Sequence, residues 1–236
     1  PEKPYNWVTS ELVKWTMYNG EMGKGIFYKP ENFDPRKKYP VIFNYYQSRN
    51  EELHKFLNVD NDGRSRGNNI HIPEYVSAGY LVFVPDIIND KPGQIAKTTL
   101  NSVESAAKYL VETYSFIDGE HLGLQGHSFG GYETNLIIAN SNMFAAANAS
   151  AGITDLVTEH GSRGFGAQSL HMMVETGQFN LGFNVTPWNE PQKYIENSPI
   201  FRADKISTPL LLCVGSMDDT VSNNQSIELF AALRRL

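Results

Sequence analysis

The hydrophobic positions of this chain fall into short blocks, and the spacing within each block predicts the elements. Leu12 to Met17, Gly25 to Tyr28 and Val41 to Tyr46 read as strands, separated by turn material such as Asn19-Gly20 and the Pro30 to Pro40 stretch. Tyr80 to Pro85 (YLVFVP) is apolar at successive positions, the pattern of a parallel strand buried on both faces. From Gln94 to Tyr114, residues Ile95, Leu100, Val103, Ala106, Ala107, Leu110 and Val111 keep helical spacing. Leu122 and Leu124 mark an alternating strand, Leu136 to Ala139 a buried helix and Phe144 to Ala149 a further buried strand. Leu210 to Val214 and Ser226 to Leu236 are the last strand and the last helix. Strands alternating with helices predict an α/β chain on a mostly parallel, doubly wound sheet. Two segments interrupt the pattern. Gln47 to Asn69 is a polar loop, dense in Asn, Asp and Gly from Asn58 to Gly67, and its length reads as functional or mobile. Gly152 to Ile206 is far too long for a simple crossover and reads as an excursion over the functional face.

Composition narrows the classes. A chain of 236 residues, 41% hydrophobic and 19% charged, fits one large globular domain with a substantial core. A net charge of −6 argues against nucleic acid, since the only basic runs are Arg36-Lys37-Lys38 and Arg234-Arg235, both expected at solvated loop or helix ends. No apolar run approaches the length of a membrane span, and the start, PEKPYNWVTS, has neither a basic n-region nor an apolar h-region. It also lacks an initiator Met, as in a processed protein or a piece of a longer one. The single Cys213 lies in the apolar run Pro209 to Val214, so a packed strand thiol is expected, with no internal disulfide; it leaves the compartment open.

The most informative stretch is EHLGLQGHSFGGY, Glu120 to Tyr132. A strand runs into Gly126-His127-Ser128-Phe129-Gly130 and a helix follows at once, the strand, tight turn and helix of the G-x-S-x-G nucleophile elbow found in α/β-hydrolases. Ser128 is the candidate nucleophile. A serine needs a base, an orienting acid and donors for the oxyanion. In this arrangement the acid follows a late strand, and LLLCVGSMDDTV presents Asp218 and Asp219 there; Asp218 is the chosen acid. One oxyanion donor is the backbone N–H of Phe129. The other is sought at the end of the Val41 to Tyr46 strand, where Tyr45 and Tyr46 point to opposite faces, so at most one serves. No metal or cofactor is expected.

The histidine is missing from its place. His54, His71, His121, His127, His160 and His171 all precede Asp218, against the chain order Ser, acid, His. His160 and His171 lie in the excursion, from which an approach is open to them, but the simpler expectation is a base beyond Leu236, after one more strand. The Leu210 to Val214 strand would then keep an unpaired edge, favouring association with another strand or a second copy of the chain.

GHSFGGY and LLLCVGSMDDTV, with KYPVIFNYY and the approach YNWVTSELVKWT, resemble the catalytic domain of the prolyl oligopeptidase family of serine peptidases, over nearly all of Glu11 to Leu236. The resemblance implies Ser128 as nucleophile, Asp218 as triad acid and Tyr46 as hydroxyl donor to the oxyanion, with Ile153, Leu156 and Val221 lining the pocket for the residue whose carbonyl is attacked. It also implies an excised α/β-hydrolase domain, truncated at the C-terminus, with a β-propeller and the catalytic His outside the chain. The function expected is hydrolysis of short peptides through an acyl-enzyme. The alternatives are a carboxylesterase and an inactive pseudo-hydrolase or binding module.

Overall fold

The computed structural model describes residues 7–55, 57, 70–164 and 168–236. Along them lie β1 (Val8–Thr16), β2 (Met22–Pro30), β3 (Tyr39–Asn44), α1 (Ile72–Ser77), β4 (Leu81–Pro85), α2 (Ile95–Thr113), β5 (Ile117–His127), α3 (Phe129–Ile138), β6 (Ala146–Ser150) and α4 (Leu156–His160). Next come a short pair, β7 (Arg163–Gly164) and β8 (Gln168–Ser169), then α5 (His171–Glu175), α6 (Pro191–Glu196), β9 (Leu210–Cys213) and α7 (Asn223–Arg235). Among the described residues seven strands form one sheet in the order β1-β2-β4-β3-β5-β6-β9. β1, β2 and β4 pair antiparallel, and β4, β3, β5, β6 and β9 pair parallel, so the mostly parallel, doubly wound expectation holds.

Period-two placement of side chains explains the apolar run at Tyr80 to Pro85. Leu81 and Phe83 of β4 join Phe27, Val41, Phe43 and the buried stripe of α2 (Val103, Ala106, Ala107, Leu110) on one face of the sheet. Val82 and Val84 join Ile26, Tyr28 and the α1 residues Ile72 and Val76 on the other. Both faces of β4 are therefore dry, and no polar position is tolerated on it. α3 is buried at all ten positions because two clusters claim it: Ile137 and Ile138 pack in the first core, while Phe129, Tyr132 and Leu136 pack with Ile153, Phe179 and Val221 in a third cluster over the sheet edge.

That third cluster is built largely by the segment from Gly152 to Ile206, which holds α4, α5 and α6 and does lie over this edge. Of the polar loop Gln47 to Asn69, a 3₁₀ turn at Asn50–His54 is described, while the stretch from Asn58 to Gly67 lies outside the described residues. The expectation for Cys213 is wrong: it is exposed. β9 closes one end of the described sheet and pairs only with β6, so alternate residues of its apolar run face outward, and Leu211 is 57% exposed. Among the described residues no helix is long and apolar enough to cross a membrane.

Candidate active site

Parallel pairing brings four strand ends to one edge. Asn44 of β3 lies opposite Gln125 of β5, His127 of β5 opposite Ser150 of β6, and Ser150 opposite Cys213 of β9. In open α/β sheets this carboxyl edge is where ligands bind. Two backbone bonds tie it together. Ser128 N–H donates to Ser150 O at 2.8 Å, and Ala151 N–H donates to Cys213 O at 2.6 Å.

Ser128 alone turns the chain from β5 into α3, with φ 56° and ψ −119°, a conformation that costs a non-glycine residue of order 1–3 kcal/mol. Close packing of backbone on backbone makes the turn possible. A Cβ at Gly126 would lie 2.0 Å from Gly130 O, one at Gly130 would lie 2.5 Å from Tyr45 O, and one at Gly131 would lie 2.6 Å from Ser150 O. No side chain can rotate away to relieve these contacts. Gly126→Ala is therefore expected to cost about 3 kcal/mol or more, lowering Tm by about 6 to 12 °C in a chain of this size. Gly123→Ala, where the added Cβ meets nothing nearer than 3.9 Å, should leave the melt almost unchanged, and paired thermal unfolding curves check the contrast.

Serine at a helix N-cap normally accepts from the first-turn amides. Ser128 occupies that position without a side-chain cap bond, and its hydroxyl has no hydrogen-bond partner among the described residues. It opens instead on a cavity of about 230 Å³ shared with Tyr46, Phe129, Ile153 and Val221. Phe129 begins α3, so its N–H is one of the donors that the helix itself cannot satisfy.

The two tyrosines after β3 part as alternation requires. Tyr45 is fully buried, its hydroxyl 2.9 Å from Thr134 Oγ1, and burial pushes that phenol well above its usual range. Tyr46 is half-buried on the cavity wall, its ring edge-on to Phe129 at 5.8 Å. The acids part as well. Asp218 Oδ1 accepts from the N–H groups of Thr220 at 2.9 Å and Val221 at 3.0 Å, which fixes the loop and leaves Oδ2 without a partner among the described residues. Asp219 is exposed.

Leu156 does not line the cavity. It is fully buried in the cluster behind Ile153 and Val221, and Glu159, one turn further along α4, takes the cavity-facing place. The histidines are engaged elsewhere or exposed. His160 Nε2 lies 3.2 Å from Glu175 Oε1, His171 Nδ1 2.8 Å from Ser169 Oγ, and His121 Nδ1 2.8 Å from Asp118 Oδ2. His71 faces Glu74 at 3.5 Å, and His54 and His127 are exposed; none is hydrogen-bonded to Ser128.

Sequence reasoning missed Glu159, Leu170, Met173, Gln178 and Phe179, which line the cavity from the excursion. No local pattern marks them, because long-range packing alone brings them to the serine. It also missed Glu133, fully buried on α3 with neither carboxyl oxygen hydrogen-bonded, whose burial raises it well above the usual carboxylate range.

A doubly wound sheet carrying a serine elbow at its carboxyl edge is an α/β-hydrolase. Residues 90–236 match the prolyl oligopeptidase family, and the chain belongs to it. It is 26% identical over 232 residues to the uncharacterized peptidase YuxL of Bacillus subtilis, covering 96% of this chain and 33% of that protein. To human dipeptidyl peptidase 8 it is 28% identical over 229 residues, covering 89% of this chain and 23% of the other. The fold is that of the acylaminoacyl peptidase of Pyrococcus horikoshii, at a TM-score of 0.73 and 20% identity over 99% of this chain and 36% of that one. The chain thus spans about a third or less of the length of these relatives.

Proposed function

We propose that this chain carries the nucleophile, acid and oxyanion donors of a serine peptidase acting on short peptides. The observation that carries the reading is Ser128 itself, held in a strained turn with its hydroxyl uncommitted and facing a cavity that Tyr46 shares. Ser128 Oγ attacks the peptide carbonyl carbon while its proton passes to a general base. The resulting oxyanion is held by Phe129 N–H and the Tyr46 hydroxyl. The carbon–nitrogen bond then breaks, the amine leaves with the proton, and water hydrolyses the acyl-serine by the same steps. Asp218 Oδ2 is the acceptor that orients the base, and among the described residues no histidine is hydrogen-bonded to Ser128.

Names of relatives support peptides over other acyl substrates, since YuxL and dipeptidyl peptidase 8 are peptidases by name. The test is turnover by the whole protein of matched short peptide anilides and acyl esters. Anilide hydrolysis that disappears in Ser128→Ala supports the reading; ester hydrolysis alone would make it a carboxylesterase, and neither would leave a binding module. Tyr46→Phe removes one donor and no packing, so turnover should fall by about 10²- to 10³-fold with the melt unchanged. Tyr45→Phe should tolerate the loss kinetically, because its hydroxyl is spent on Thr134.

A further inference from the structure

The cavity at Ser128 has mostly apolar walls, formed by Phe129, Ile153, Leu170, Met173, Phe179 and Val221, with Gln178 and Thr220 beside them and, among the described residues, a single carboxylate, Glu159. That carboxylate is 1% exposed. Its one hydrogen bond among the described residues is a long one, from Gln225 Nε2 to Oε2 at 3.4 Å. Gln225 is itself fully buried and cannot turn: its Oε1 accepts from the N–H groups of Thr154 at 2.8 Å and Asp155 at 2.9 Å, and its Nε2 also donates to Asp155 O at 3.1 Å. Glu159 is therefore held in place by a rigid amide, with Oε1 left without a partner among the described residues.

We propose that Glu159 is a specificity-determining residue, seating the cationic head of a lysine or arginine side chain on the substrate residue whose carbonyl Ser128 attacks. This rests on the peptidase reading above. Ser128, Phe129 and Tyr46, the proposed nucleophile and the residues proposed as oxyanion donors, all line this cavity, so the side chain that enters it is read as that of the residue at the reacting carbonyl. A basic side chain matches both parts of the lining. Its aliphatic stem lies along apolar walls, and its head donates charge-assisted hydrogen bonds to the carboxylate. A purely apolar side chain would instead leave a desolvated carboxylate unpaired. Burial already pushes the Glu159 carboxyl up to about 7, which is the cost that an arriving cation removes.

The experiment compares, in the whole protein, peptidyl coumarinamides that differ only in the residue before the scissile bond: arginine, its neutral isostere citrulline, and leucine. Arginine should exceed citrulline in kcat/KM by about 30- to 1,000-fold, the range for a desolvated charge pair. In Glu159→Gln this ratio should collapse toward unity while leucine turnover persists. The wild-type comparison needs no variant, so a misfolded Glu159→Gln does not block the test. Calorimetry with agmatine, which has the guanidinium and stem without a reacting carbonyl, separates the two readings. It should bind wild type and Ser128→Ala alike and weaken in Glu159→Gln by a similar factor. Loss of all Ser128-dependent turnover with agmatine still bound through Glu159 would refute the peptidase reading and keep the cation seat. Equal hydrolysis of arginine and citrulline substrates, preference for leucine, or agmatine affinity unchanged in Glu159→Gln would overturn the assignment.

Discussion

Ser128→Ala should lower peptide turnover by the whole protein about 10⁶-fold, with the thermal melt unchanged or slightly raised. On the proposed reading, the size follows from losing the nucleophile that forms the acyl intermediate, as in serine hydrolases generally. The melt should hold because Ser128 contributes no cap bond that alanine would lose. Its backbone N–H and C=O, which bond Ser150 O and Tyr132 N–H, are untouched by the substitution. A residual of about 10³- to 10⁴-fold over water should survive in the variant, carried by Phe129 N–H, Tyr46 and substrate binding. Steady-state assays on purified wild type and variant measure both figures.

Asp218→Asn should cost about 10⁴-fold in kcat, the loss typical of a triad acid replaced by its amide. The variant is informative because asparagine keeps an Oδ1 that can accept the Thr220 and Val221 amides, so the loop retains its anchors. What changes is the free side of the group, where an acceptor for an imidazole N–H becomes a donor. Asp219→Asn, at an exposed position, should lose little. Equal losses at both positions, or a loss confined to Asp219, would reverse the assignment.

The parts of this fold that were legible in the sequence are those governed by local periodicity. β4 declares itself as a strand with two dry faces because every one of its positions is apolar, and α2 because one stripe recurs at helical spacing. The elbow is legible because three glycines answer to backbone contacts within the same dozen residues or with the adjoining strand. Alternation separates Tyr45 from Tyr46 without saying which is the core residue; the choice of Tyr46 for the site comes from the family resemblance, and it is the hydrogen bond to Thr134 that puts Tyr45 in the core. Features set by topology were not legible. Cys213 reads as buried from its apolar neighbours, yet its exposure depends on β9 standing at the end of the sheet. Leu156 and Glu159 lie a turn apart on α4, and nothing in LVTEH tells that the leucine faces the core and the glutamate the cavity. That distinction is made by Gln225, some seventy residues later on α7.

Fluorophosphonate labelling of the whole protein, with the modified residue located by peptide mass spectrometry, tests the central claim most directly, because the probe reacts only with a serine that has both a base and an oxyanion site. The account predicts a single adduct, on Ser128, formed stoichiometrically in wild type and absent from Ser128→Ala. An adduct on any other residue, or labelling that persists in Ser128→Ala, would contradict it.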